Sequence, residues 1–200
     1  MTLNNKTKEK IIKETTKLIQ KHGYTETNLQ DIIKKSKSPK GSLYHYFPKG
    51  KDDIIISSLD NINMEFNKKF QNSIDKNSTL KEILESLLMV FKTKERSYGT
   101  PSFRLTLLAL ETIGQAPEVS KKCGEIVQEW RNTLSETIEN IGLNKITSQT
   151  ISTWFFSILQ GAICASVIHK DTTHMDIVES SIKLIENLNE EQLKVIFSPK

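Results

Sequence analysis

Residues 27–51 read TNLQDIIKKSKSPKGSLYHYFPKGK, and the punctuation within this stretch decides the fold. Thr27 with Gln30 three residues later has the form of a capping box, opening a helix whose apolar face is Leu29, Ile32 and Ile33. Ser38 is a competent N-cap, and Pro39 suits the first helical position, where its missing N–H costs nothing. A second helix is therefore predicted only a few residues after the first ends, and Pro48 and Gly50 stop it just past Phe47. Lys34, Lys35, Lys37, Lys40, Lys49 and Lys51 surround the turn, a surface suited to phosphates. Two short helices about a tight, basic-flanked turn are a means of presenting a small helix to the major groove of a duplex.

The charge distribution supports that reading. Residues 1–53 hold 12 lysines against 6 acidic residues, whereas residues 54–200 hold 16 basic and 18 acidic ones, so the basic surplus of a chain with net charge +4 lies with the motif. The two cysteines, Cys123 and Cys164, are far apart and lack metal-ligand spacing, which fits a reducing cytoplasm. The N-terminus is polar and no apolar run approaches the length of a membrane span, so neither a signal peptide nor a membrane partner is expected.

Hydrophobic periodicity is helical throughout, predicting an all-α chain. Ile11, Ile12, Thr15, Leu18 and Ile19 mark a first helix, with Gly23 as its C′ residue. A longer helix runs from Asp52 toward Phe70; Thr79 with Glu82 caps another that turns Ile83, Leu84, Leu87, Leu88 and Phe91 inward. Beyond the break at Gly99 to Pro101, helices are predicted at 102–114, 117–140, 147–169 and 174–188. Val119, Cys123, Ile126, Trp130, Leu134 and Ile138 line one face of the second of these.

The segment Pro39 to Phe47, PKGSLYHYF, followed by Lys51-Asp52-Asp53-Ile54, resembles the helix-turn-helix signature of the TetR family of transcriptional repressors. Ser36, Pro39 to Pro48 and Gly99-Thr100-Pro101 resemble, more narrowly, its LmrA/YxaF branch. Lys37 departs from it, standing where that branch carries a turn glycine; a lysine there must accept strain or build the turn differently.

The resemblance implies a three-helix DNA-binding domain with helix-turn-helix over residues 1–50 and a helical ligand-binding and dimerisation domain over 51–200. Carried onto this chain, it makes Thr27, Tyr44 and Lys51 phosphate contacts and sets Lys37, Ser38, Pro39, Lys40, Gly41, Ser42 and His45 at or near the bases. For Thr27 a plain N-cap, and for Tyr44 and His45 ordinary surface positions, remain alternatives. Phe66, Phe91, Phe103, Leu107, Glu111, Trp130, Trp154 and Phe155 are the candidates to line an effector pocket, beside the plainer reading of each aromatic as filled core. Ile158, Gly161, Ala162, Ala165, Ile177, Ser181, Leu184, Ile185 and Leu188 are expected in a homodimer's four-helix interface.

The implied function is a cytoplasmic repressor that binds a double-stranded, pseudo-palindromic operator and is released by a small apolar or aromatic effector. The alternatives are a dimeric regulator that ignores small molecules and, more distantly, a helical enzyme. No nucleophile, base and orienter group argues for catalysis. His22, His169 and His174 are too scattered in sequence to suggest a metal site, and no cofactor is expected.

Overall fold

The computed structural model describes residues 3–75, 78–91, 101–171 and 173–197, for 3–5 and 101–104 the backbone alone. Among these residues the order is α1 (Leu3–His22), α2 (Leu29–Ser36), α3 (Lys40–Tyr46), α4 (Lys51–Asn72), α5 (Leu80–Phe91), α6 (Pro101–Thr112), α7 (Pro117–Glu139), α8 (Lys145–His169), α9 (Thr173–Glu186) and α10 (Glu190–Phe197), with no strand. The chain forms two compact units, Met1–Phe66 with Gly99–Ile126, and Asn67–Tyr98 with Val127–Lys200.

The first unit is built on a core of Ile11, Leu18, Ile32, Leu43, Phe47 and Ile54, flanked by Ile12, Leu29, Ile33 and Tyr46. One or two side chains from each of α1, α2 and α4 meet there with Leu43 of α3 and Phe47 just past its end. The Ser58 hydroxyl ties α4 to α1 by donating to the carbonyl of Ile12 at 3.3 Å, and Lys122 pairs with Asp60 at 2.6 Å. Gly23 ends α1 at φ 76, the left-handed conformation expected of a C′ glycine.

The α2 start differs from the expected capping box by one residue. Asn28, not Thr27, is the N-cap, its side chain accepting the Asp31 N–H at 2.9 Å. Thr27 instead donates its hydroxyl to the Gly23 carbonyl at 2.7 Å and is 1% exposed. Both residues are chemically competent caps, and the inward hydrogen bond of Thr27 hands the role to its neighbour. The α3 start shifts likewise. Pro39 occupies the N-cap position with no side-chain cap bond, and Ser38 is buried, its hydroxyl reaching the Ser36 carbonyl at 3.3 Å.

In the second unit α8 packs on α9, α5 on α9 and α10 on α8. The capping box at Thr79 and Glu82 forms as expected, with reciprocal bonds of 2.8 and 3.3 Å. Helix α8 starts at Lys145, two residues earlier than periodicity suggests, because Asn144 accepts the Thr147 N–H at 3.0 Å. By length and composition α8 is apolar enough to cross a membrane, with a mean hydropathy of 1.7 over an 18-residue window that is 44% buried. Its serines, threonines and Gln160 interrupt the visible run, while its isoleucines, phenylalanines, leucine, alanines and valine keep the mean high, which corrects the expectation that no such segment exists. Ile151, Phe155, Leu159 and Ile163 of this helix belong to the protein core.

Helix α10 is an addition to the expected set. A capping box announces it, Asn189 and Gln192 each accepting the other's backbone N–H at 2.9 Å. Its Phe197 ring meets Trp154 edge-on, with centroids 5.4 Å apart.

Burial pushes the Cys123 thiol up to about 12, while Cys164 is half-buried. Because the thiolate is the reactive form, a disulfide reagent at pH 8 is expected to label the folded protein at Cys164 alone and Cys123 only on unfolding. Mass spectrometry of the labelled protein checks this; fast labelling of Cys123 in the folded state contradicts it.

Candidate nucleic-acid interface

Seven residues make α3, and their helical spacing divides them into two faces. Leu43 is fully buried and Phe47, one turn on, is 2% exposed. Rotation by about 100° per residue then turns Lys40, Gly41, Tyr44 and His45 outward, where all four are exposed together with Lys37 and Pro39. The Lys40 ammonium lies 5.9 Å from the Tyr44 ring centroid, so cation and phenol form one patch. Lys34, Lys35 and Lys49 are exposed beside it.

The turn itself is settled at Lys37. It caps α2 in the left-handed region at φ 50 and ψ 34, the conformation for which glycine is preferred. A left-handed L-residue costs roughly 1–2 kcal/mol, so Lys37 takes this turn with strain. The reward is a cation at the tip of the turn.

Of the remaining residues expected near DNA, Ser42 and Lys51 are half-buried, and Thr27 and Ser38 are buried with their hydroxyls bonded inward. A Cβ built on Gly41 meets nothing within 4 Å, so the free protein does not require glycine there.

Lys51 opens α4, where helix N–H groups favour an anion. Its ammonium sits 3.9 Å from the Tyr24 ring centroid. Burial lowers its basicity, while Asp52 and Glu111 act in the opposite direction. The Tyr24 hydroxyl donates to Asp52 at 2.7 Å, and burial followed by that bond pushes the phenol up to about 12. No feature of residues 21–26 announces this shelf beneath Lys51, since it depends on a partner 28 residues away in sequence.

The expected effector residues fall into different places. Phe91, Trp130 and Phe155 are buried in the second unit in a packed cluster with Phe156, Phe91 standing edge-on to Trp130 at 5.9 Å and to Phe156 at 6.1 Å. Trp154 is half-buried beside Phe197. Phe66, Leu107 and Glu111 belong to the first unit, Phe66 buried and Leu107 39% exposed. The Glu111 carboxylate accepts the backbone N–H groups of Tyr24 at 2.9 Å and Thr25 at 2.7 Å. The Phe103 side chain and Gly99-Thr100 lie outside the described residues.

A cavity of about 490 Å³ in the second unit is walled by Gln71, Ile74, Asp75, Ile83, Thr133, Glu136, Thr137, Asn140 and Ile141. None of those had been singled out as an effector residue from sequence. His169 and His174, scattered in sequence, come together with ring centroids 5.3 Å apart.

On the outer side of α8 and α9, Gly161 is exposed, Ile158, Ala162, Ala165, Ser181 and Leu188 are half-buried, and Ile177 and Leu184 are 60% and 75% exposed. Ile185 instead faces inward with Val178 and Ile182, at 6% exposure.

Comparison with known proteins places these features. Residues 11–57 match the family model for bacterial regulatory proteins of the tetR family, and residues 78–181 match the C-terminal domain of LmrA/YxaF-like transcriptional regulators. The chain is 30% identical to the HTH-type transcriptional regulator LmrA of Bacillus subtilis (strain 168), over 88% of this chain and 94% of that one. It is 28% identical to the uncharacterized HTH-type transcriptional regulator YxaF of the same organism, over 92% and 97%. In fold it is similar to a TetR-family regulator from Cytophaga hutchinsonii, with a TM-score of 0.75, 21% identity and coverage of 100% and 99%. The reduced form of NemR from E. coli gives a TM-score of 0.75 at 16% identity, covering 90% and 96%.

Two substitutions separate the roles of the outward face. Gly41→Ala is expected to leave stability unchanged or raise it by up to about 1 kcal/mol through helix propensity, yet to weaken duplex binding by bringing a methyl group to the contact surface. Lys37→Gly is expected to raise stability by less than about 1 kcal/mol while also weakening duplex binding. Denaturant unfolding and fluorescence anisotropy with a labelled duplex check both; unchanged binding in both variants removes α3 from the interface.

Proposed function

The chain belongs to the TetR family of transcriptional regulators, in its LmrA/YxaF-like branch, and on that premise we propose that it is a repressor that binds a pseudo-palindromic operator as a homodimer and leaves it when a small, mostly apolar or aromatic effector binds. In this reading residues 1–50 hold the operator, residues 51–200 hold the effector and the dimer, and the protein acts in the cytoplasm.

The observation that carries the proposal is the outward face of α3 and its flanks, with Lys37, Pro39, Lys40, Gly41, Tyr44 and His45 exposed above the buried pair Leu43 and Phe47. A short basic helix with a phenol at its end and cations on either side is suited to a groove bordered by phosphates. Lys51 at the α4 N-terminus adds a further phosphate contact.

A single such helix reads too few bases to define an operator, and a two-fold axis supplies the second. The outer face of α8 and α9 suits that axis. Ile177 and Leu184 are two turns apart and widely exposed, with Gly161 and half-buried alanines on the neighbouring helix to allow close approach.

The effector is assigned to the second unit, where the cavity of about 490 Å³ falls in the usual range for small-molecule sites; Ile74, Ile83 and Ile141 offer apolar walls, and Asp75 and Glu136 favour a ligand that also carries positive charge. Helix α4 is continuous from Lys51, at the operator face, to Asn72, beside that cavity's Gln71 and Ile74, and is the lever of the mechanism. The effector must bind the operator-competent and operator-incompetent states with different affinity, or nothing shifts. The packed cluster of Phe91, Trp130, Phe155 and Phe156 favours a second reading, a dimer that regulates without a small molecule.

Selection from a random duplex pool is expected to enrich a two-fold-symmetric sequence, and light scattering to give a dimer. Ile177→Glu combined with Leu184→Glu is expected to give a monomer that loses the operator shift, and Lys51→Ala to flatten the salt dependence of binding by about one unit of slope. Planar aromatics and cationic drugs that raise Tm are then titrated into the operator complex. Unchanged affinity at saturation selects the regulator without effector, and absence of any enriched sequence removes the DNA-binding reading.

A further inference from the structure

We propose that Glu111 is a positioning residue for operator binding, fastening the α1–α2 turn to α6 and thereby holding Lys51 in place for its phosphate; the proposal rests on the DNA-binding reading above.

The turn between α1 and α2 leaves backbone N–H groups that no helix satisfies. Two of them, on Tyr24 and Thr25, donate to the two oxygens of the same carboxylate at 2.9 and 2.7 Å, from a residue 86 to 87 positions away in sequence. Charge-assisted bonds of this kind are the strong ones, and a pair of them fixes direction as well as distance. Gln115, one turn after Glu111, donates to the Thr25 hydroxyl at 3.2 Å and to the Glu111 carbonyl at 2.9 Å.

The approach is close. At Gly23, φ is +76, which disfavours a side chain, and a Cβ would stand 2.9 Å from the Glu111 carboxylate oxygen, so any side chain there would push the carboxylate from its place. The carboxylate is ionised in this setting. Burial opposes its charge, but the hydrogen bonds from Thr25 and Tyr24 prevail and hold it below the usual carboxylate range.

From the fastened turn the contact passes to the DNA side. Tyr24 presents its ring face to the Lys51 ammonium at 3.9 Å and its hydroxyl to Asp52 at 2.7 Å. Position and angle of the Tyr24 ring therefore set where the first cation of α4 stands. Glu111 is half-buried; it reaches Lys51 through the Tyr24 ring and, at longer range, by its charge.

The test uses the full-length protein and the duplex that the wild type enriches, with Glu111→Gln and Glu111→Ala in wild-type and Lys51→Ala backgrounds. Glu111→Gln keeps the size and helix propensity of the side chain and is the variant of choice should Glu111→Ala fold poorly. Expected are faster amide exchange at Tyr24 and Thr25, and about a tenfold loss of operator affinity in the wild-type background that shrinks to less than about threefold once Lys51 is alanine. Equal losses in both backgrounds, or affinity unchanged while the two amides exchange faster, overturn the proposal. A wild type that enriches no sequence overturns the underlying reading and this one with it, an outcome distinct from specific wild-type binding that is indifferent to Glu111.

Discussion

The burial of Leu43 and Phe47 in the core with Ile11, Ile32 and Ile54 is the interaction on which the rest of the interface depends. Helices shorter than about 12–15 residues are marginal in water, and α3 has seven. Its conformation is therefore tertiary in origin. Burying a leucine and a phenylalanine is worth about 1.5–3 kcal/mol each, enough to fix a two-turn helix but not enough to tolerate a rival arrangement. Once those two side chains point inward, the helical repeat leaves no freedom in what points outward. The chemistry that α3 presents is decided by the residues it buries.

The same dependence explains what could be read in the sequence. Long helices with sustained periodicity, such as α5 and α7, show their inner faces in the sequence because the core imposes one spacing over many turns. Val119, Cys123, Ile126, Trp130, Leu134 and Ile138 are all buried, as their spacing predicts. Short helices offer too few turns for that signal, and their ends are decided by competition between neighbouring caps. Asn28 is the better N-cap of the two, and the bond from Thr27 back to Gly23, four residues earlier, takes the threonine hydroxyl out of the role. Helix α10 went unpredicted although Asn189 and Gln192 form a reciprocal cap, because about two turns of pattern after α9 carry little weight.

Glu111 marks the other limit. Its spacing from Phe103 and Leu107 puts it on one helical face, but spacing does not say what that face meets. What it bonds is a pair of main-chain N–H groups at the far end of another helix, and main-chain donors have no sequence signature. Lys37 is the converse case. Its identity departed from the branch's glycine, yet backbone geometry at φ 50 is what the turn demands, so topology overrode residue preference at a modest cost.

These magnitudes bear on how such a reader can be switched. A small unit held by one compact core and a few specific bonds can be reoriented by free energies of a few kcal/mol. A tenfold change in operator affinity needs only about 1.4 kcal/mol. Hydrogen bonds to a charged group are worth about 1.5–3 kcal/mol each, so the two that Glu111 accepts are on the same scale as the burial of Leu43 and Phe47. The outward face of α3 is fixed by Leu43 and Phe47, and the α1–α2 turn beside Lys51 by the Glu111 carboxylate.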